Sequence, residues 1–454
     1  MNNYNLKAAG IFFMILFSVT FANAQYNSVL SHTKDNPYGS YYHPAKTNPY
    51  KLYIGVPFIN FHINYSNSAF HFNDLIYSSN DTTYISPSNF VNAMKAEKNN
   101  IRLNTDQELL GLGFKIKKTA VSLSIRQKIS CNFEYPKDLF GFLAFGNANY
   151  IEEPLLIDNS LKFRANAYHE VAIGIQQQIT KHVFIGVRPK MIFGIGSIEL
   201  TDFYLKVKTD PNGYALTVDE HFNINSSFAD LNSLEKCLSG SFFKFFDFYQ
   251  NYGAAIDLGV YADINKFDFS ISALDLGYVL WKGNCKSYSS KIINSGQYYD
   301  DGSFFFEGLD ILDYYDDGIN TGAIVDSLSG YFVVDTTSFD SWASYLTPKI
   351  SCLAGYDFTP HHRLSLMLLS EINDKNLTIP HISLAYTGTF FNILEVIGAI
   401  NYDNSQVNLG AGLSVNFMMF RIYAAANNIL LFNLKQSQNI SCTAGLVFNF
   451  LKSK

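Results

Sequence analysis

From Val121 to Phe133 the chain alternates between hydrocarbon and polar side chains. Val121, Leu123, Ile125, Ile129, Cys131 and Phe133 take one phase and Ser122, Ser124, Arg126, Lys128, Ser130 and Asn132 the other, interrupted only at Gln127. A period of two sends successive side chains to opposite faces of a strand. Cations on one face and bare hydrocarbon on the other suit a strand lying between water and lipid. The same pattern returns in Leu161, Phe163, Ala165, Ala167, Val171, Ile173 and Ile175 against Lys162, Arg164, Asn166, Glu170 and Gln176. It returns again in Val183, Ile185, Val187, Met191, Phe193 and Ile195 against Arg188, Lys190, Gly194 and Gly196. Each run is long enough to cross a bilayer at a tilt.

Further strands are predicted around Phe61 to Tyr65, Ile101 to Lys117, Tyr252 to Ile264, Phe267 to Trp281, Pro348 to Phe358, Arg363 to Ile372, Pro380 to Phe390, Ile393 to Tyr402, Gln406 to Phe417, Phe420 to Asn427 and Asn439 to Phe448. Short links fall at Lys118, at Thr180 to His182, at Asn265, at Thr359 to His362, at Asn392 and at Met418. Long ones fall near 66–100, 134–160, 205–251 and 282–346. Membrane barrels have short periplasmic turns and long external loops. Parity holds when Tyr214 to Ser226 is the return arm of an external hairpin that continues the strand from Val183. The prediction is an all-β, transmembrane, antiparallel up-and-down barrel of about 14 strands over residues 51–450, with both ends periplasmic. Short helices are predicted at Ser88 to Glu97, at Pro136 to Phe145 with Asp138 in its first turn, and at Ser241 to Tyr249.

The start of the chain sets the compartment. Lys7, the apolar run Ala8 to Phe17 and the small residues Ala22 and Ala24 read as a cleavable signal peptide over 1–24, placing the protein in the cell outer membrane and 25–50 in the periplasm. No mature stretch is apolar enough for a helical span, and lipid leaves a closed barrel as the alternative. Forty Phe and thirty Tyr suit aromatic girdles at two interfaces, and 16% charged residues suit strands that are half apolar. Cys131, Cys237, Cys285, Cys352 and Cys442 are odd in number and scattered, so no disulfide framework or metal spacing emerges.

The segments Asn48-Pro49-Tyr50-Lys51-Leu52-Tyr53-Ile54-Gly55-Val56-Pro57, Phe114 to Lys118 and Tyr135-Pro136-Lys137-Asp138-Leu139-Phe140 resemble an uncharacterised family of Bacteroidota outer-membrane barrels, a domain of unknown function. So do Ala254 to Gly259 and its echo Leu274-Asp275-Leu276-Gly277. A more distant similarity reaches the barrels of the type IX secretion and gliding machinery, and a looser one the long-chain fatty acid transporters. The resemblance implies location and fold, with no activity and no catalytic residues to carry over.

Two constellations carry candidate chemistry. The lumen-facing phase of three successive strands holds Arg126, Lys128, Lys162, Arg164, Arg188 and Lys190, with Glu170 as the acidic residue of their central portions. Such a wall either favours anionic solutes or an acidic plug, or is a structural ladder neutralised by Glu170, facing carboxylates and water. The second is the loop before Pro348, where ten carboxylates stand from Ile292 onward without one Lys or Arg. In it Tyr298-Tyr299-Asp300-Asp301-Gly302 recurs as Tyr314-Tyr315-Asp316-Asp317-Gly318. Asp300, Asp301, Asp316 and Asp317 are a candidate cation site, though the spacing is not that of an EF-hand. This loop could also fold inward against the basic wall. His169 falls in the lipid-facing phase, where a bulge or a nearby interface would explain it. Asp81-Thr82-Thr83, Asp326-Ser327-Leu328 and Asp335-Thr336-Thr337 resemble glycosylation acceptors.

No phosphate loop, zinc spacing, cofactor motif or nucleic-acid signature is present. The expected partners are outer-membrane lipid, lipopolysaccharide and a periplasmic or surface protein, and not nucleic acid. The function read from the chain is a passive channel or transporter for small or hydrophobic solutes. The alternative is a non-enzymatic anchoring or binding barrel for secretion or surface assembly.

Overall fold

Alternation along the strands becomes the two surfaces of one closed wall. The computed structural model describes residues 28–452 apart from 34, 47, 71–75, 80–81, 96–97, 147–149, 152, 210–215, 229–249, 293–303, 307–331, 374–375, 378–380, 404–405 and 430–437. Antiparallel strands run in sequence order through Asn99–Ile116, Thr119–Tyr135, Lys162–Gln178, Val183–Thr209, Tyr252–Ile264, Phe267–Trp281 and Lys349–Thr359. They continue through His362–Asn373, His381–Phe390, Leu394–Asp403, Gln406–Phe417, Phe420–Ala426 and Asn439–Lys452. The first stave has two pieces, Tyr50–Gly55 and Phe61–Asn67, each paired both with Asn99–Ile116 and with the last strand. The ring therefore closes as a 14-strand barrel without a free edge.

The outward phase is hydrocarbon: Ile173, Ile175, Val187, Ile271, Leu366, Ile400, Leu409 and Ile422 all lie exposed. Their inward neighbours, such as Glu170, Arg188, Ser270, Ser365, Asn401 and Arg421, are buried. An apolar outside on a sheet that satisfies all its own backbone groups is the surface a bilayer demands. At mid-height this makes Ile400→Arg costly. We expect it to destabilise the inserted barrel by about 2–4 kcal/mol, read as a shift in guanidinium unfolding midpoint in phospholipid vesicles.

The short turns lie at one end of the barrel, and Tyr50 pairs with Lys452 at that same end. At the other end the 27-residue Val183–Thr209 strand outruns the wall, and Leu216–Phe228 folds back along it from Gly196 to Thr209. Leu155–Asp158, Lys286–Ile292 and Phe332–Ser338 extend this hairpin into a small sheet beyond the barrel. Two α-helices are described. Pro87–Ala93 begins earlier than expected because Ser86 accepts the Asn89 backbone N–H and Pro follows it, and it ends at Ala93, short of Glu97. Lys137–Phe145 has Asp138 in its first turn. The Ser241 to Tyr249 prediction lies outside the described residues, as does the segment 1–24.

Candidate functional site: a filled lumen and the cavity above it

The expectation of a periplasmic segment over 25–50 gives way at residues 28–33 and 35–46, which lie inside the barrel. The segment makes two 3-10 turns, Val29–His32 and Pro37–Tyr41. Asn36 opens the second by accepting the Tyr38 N–H at 3.0 Å, and Lys46 ties the segment by donating from Nζ to the carbonyls of Ser31 (2.9 Å) and Thr33 (2.7 Å). Its contacts run round the ring. Asn427 accepts the Val29 N–H, Gln176 donates to the Lys46 carbonyl at 3.0 Å, and the His32 ring nitrogens lie 2.7 and 2.9 Å from the Ser365 and Ser383 hydroxyls. A segment touching strands on every side of a ring must be inside it.

Apolar burial draws it in. The lumen-facing phase of the C-terminal strands is not uniformly polar: Ala385, Ile397, Ala399, Ala425 and Val447 pack on Val29, Leu30 and Tyr38. Leu353, Met367 and Leu369 pack on Tyr42. Small inward alanines leave the volume that the segment's side chains take, and covering hydrocarbon that would otherwise face a wet lumen is favourable.

Burial also decides two titrations. Desolvation, with the Lys46 charge nearby, holds the His43 imidazole well below its ordinary pKa. Desolvation, then Lys46, Arg363, His381 and His43, does the same to His32. In the unfolded chain such rings take a proton near pH 6.5. Below that pH the unfolded state therefore binds more protons than the folded one, and stability falls as pH drops. We expect the denaturation midpoint to be constant from pH 8 to 7 and to decline from about pH 6.5 downward, with His32→Gln flattening the decline.

Tyr41 joins the segment to the basic wall. Its ring lies between two guanidiniums, Arg126 at 4.0 Å and Arg188 at 4.4 Å from the centroid, and its hydroxyl donates to Glu108. Glu108 also accepts from Asn60 at 2.7 Å. Here the first stave is broken between Gly55 and Phe61. Phe58 adopts a φ of 65°, Phe58 and Ile59 turn outward, and Asn60 turns in.

Of the residues expected on the wall, Arg126, Lys128, Arg188 and Lys190 converge on Glu170. The distances are 3.7, 2.6, 3.3 and 3.5 Å, and Glu170 is fully buried. Lys162 and Arg164 stand apart toward the loop end, with Arg164 paired to Glu199. The sequence reading missed four further carboxylates. Asp106 pairs with Arg126, Asp257 and Asp275 with Lys190 at 2.7 and 2.5 Å, and Glu371 with Arg102 at 3.1 Å across the lumen. Lys349 reaches Asp275 at 2.7 Å. Strict alternation hides Asp275, because Leu274 and Asp275 form a bulge opposite Ile256 to Leu258, and Asp275 takes a φ of 57°. Both residues of the bulge then reach the lumen. His169 sits beside another register shift, at Ala167 and Tyr168, and is buried.

Above the segment lies a cavity of about 270 Å³. Tyr41 and Tyr42 form its floor, and Asp106, Lys128, Asn166 and Tyr168 belong to its wall. Asp300, Asp301, Asp316 and Asp317 lie outside the described residues, as does most of the acidic loop. Among the described residues no cluster of His, Cys, Asp or Glu is arranged for a metal. Cys131, Cys285, Cys352 and Cys442 are free thiols.

With the barrel and its contents in view, a family model matches residues 44–427, described as a family of unknown function, DUF5723. The chain belongs to that family. The DUF5723 match runs from the end of the lumen segment through the penultimate strand. No curated protein matches the sequence. Among solved structures, the toluene transporter TbuX of Ralstonia pickettii is similar at 8% identity and a TM-score of 0.42, covering 92% of this chain and 94% of its own. A FadL homologue of Pseudomonas aeruginosa aligns at 10% identity and 0.40, over 95% and 99%. The translocator domain of the autotransporter NalP from Neisseria meningitidis aligns at 10% and 0.30, over 89% and 91%. At such identities and scores these barrels set no expectation for what this chain carries.

Proposed function

We propose that this DUF5723 barrel sits in the outer membrane and passes small polar solutes through a lumen that its own N-terminal segment narrows. The observation that carries this reading is the cavity of about 270 Å³ between the seated segment and the loop end, where charged and amide side chains such as Arg126, Lys128, Asn104 and Asn166 stand among Phe163, Leu274 and Leu346. A barrel that only anchors a partner needs no solvated chamber, and a carrier of hydrocarbons needs an apolar one. The signal-like start supports export, and the outward hydrocarbon band supports contact with outer-membrane lipid, with lipopolysaccharide around the loop end.

The test is single-channel recording of the refolded full-length protein in planar bilayers, combined with swelling of proteoliposomes in small polar solutes. Conductance steps with solute-dependent swelling support the reading. A folded, inserted protein that stays silent in both assays, and keeps a partner protein bound through purification, overturns it in favour of an anchor.

A further inference from the structure

We infer that the cavity binds a small, neutral, hydroxyl-rich solute of sugar or polyol type on a belt of carboxamides. This rests on the solute-passage reading and names its substrate class. Strand register supplies the belt. Asn64 pairs with Asn104, Asn104 with Ser130, Ser130 with Asn166 and Asn166 with Ser197, so one row crosses five neighbouring strands without a charge. Asn64, Asn104, Ser130 and Asn166 line the cavity.

Charged tiers flank this row on both sides and are matched internally. Toward the loops stand Arg102 with Glu371 and Arg164 with Glu199. Toward the segment stand Arg126 with Asp106, Lys128 with Glu170, and Lys190 and Lys349 with Asp275. An anion entering here would compete with carboxylates already in place, and an apolar solute would strand the amides. The row between the charged tiers offers neutral hydrogen-bonding groups. Asn64 is 3% exposed, and its Oδ1 has no hydrogen-bond partner, nor has the Oδ1 of Asn132, which pairs with Arg164 in the tier next to the row. Buried acceptors of this kind call for donors, and solute hydroxyls are neutral donors. Tyr42 in the floor and Tyr168 in the wall add aromatic surface for the C–H side of a pyranose ring.

The probe is D-glucose, titrated against the full-length protein in detergent by ligand-observed saturation-transfer NMR, with sodium gluconate and toluene as comparison solutes. Saturable D-glucose binding is expected. Asn64→Ala and Asn166→Ala should each weaken it about three- to tenfold, while heat-modifiable gel mobility shows both variants folded. Asn166→Gln, which keeps the carboxamide, should retain more affinity than Asn166→Ala. Absence of D-glucose binding, binding of gluconate or toluene in its place, or D-glucose binding that both alanine variants leave untouched would each overturn the inference. The channel reading fails separately: D-glucose binding that depends on the belt, in a protein that passes neither ions nor sugar across bilayers, keeps the binding site and removes the transport.

Discussion

Removing residues 28–46 after the export signal should turn a narrow or quiet barrel into one with large, long-lived conductance steps. The segment fills the turn-proximal lumen. It is held by the apolar contacts of Val29, Leu30, Tyr38 and Tyr42, by the His32 hydroxyl pair and by Tyr41 between two guanidiniums. None of these contacts belongs to the strand ladder that closes the ring, so the wall survives their loss.

A substitution on the wall gives an independent route to the same state. A Cβ on Gly186 would run into the backbone of Pro44 and Ala45. Gly186→Leu should therefore unseat the segment from the barrel side while leaving the chain complete. Planar-bilayer recording of both variants beside the wild type is the check. Equal conductance in all three, with insertion verified, would mean that the segment does not limit passage.

The second large effect is expected at Glu170. Its carboxylate is fully buried and meets Arg126, Lys128, Arg188 and Lys190 at once. Taking charges out of water costs several kcal/mol each, and a buried cluster is tolerable only while it stays balanced. Glu170→Gln leaves four cations to the remaining carboxylates, Asp106, Asp257 and Asp275, and removing one partner of a buried pair costs about 3–5 kcal/mol. Guanidinium unfolding in phospholipid vesicles should show that loss. Adding Lys190→Met should recover part of it, since the two charges act on each other, and the double-mutant cycle measures the coupling. A Glu170→Gln midpoint equal to that of the wild type would show that the cluster is hydrated rather than held dry.

The wall was legible from the order of residues alone. Period-two alternation and the contrast of short and long links yielded about fourteen strands, and parity required Tyr214 to Ser226 to be a return arm of the strand from Val183, which the structure shows as Leu216–Phe228 beside Val183–Thr209. Those signals are local, because lipid outside and water inside dictate every second residue of each strand. The inward phase of Arg126, Lys128, Glu170, Arg188 and Lys190 was legible for the same reason.

What fills the lumen and which carboxylates balance its cations emerged with the closed ring. Residues 28–46 carry no periodicity, since a segment packed among many strands answers to the shape around it and not to a repeat. One trace was present in the sequence: Leu353, Met367, Ala385, Ile397 and Ala425 put apolar or small residues on the phase that an open lumen would keep polar. The carboxylate partners were hidden by long-range register. Asp275 meets Lys190 through a bulge, and Glu371 meets Arg102 across the barrel. Alternation tells which way a side chain points, but the partner it meets there depends on how strands distant in the chain are brought together when the ring closes.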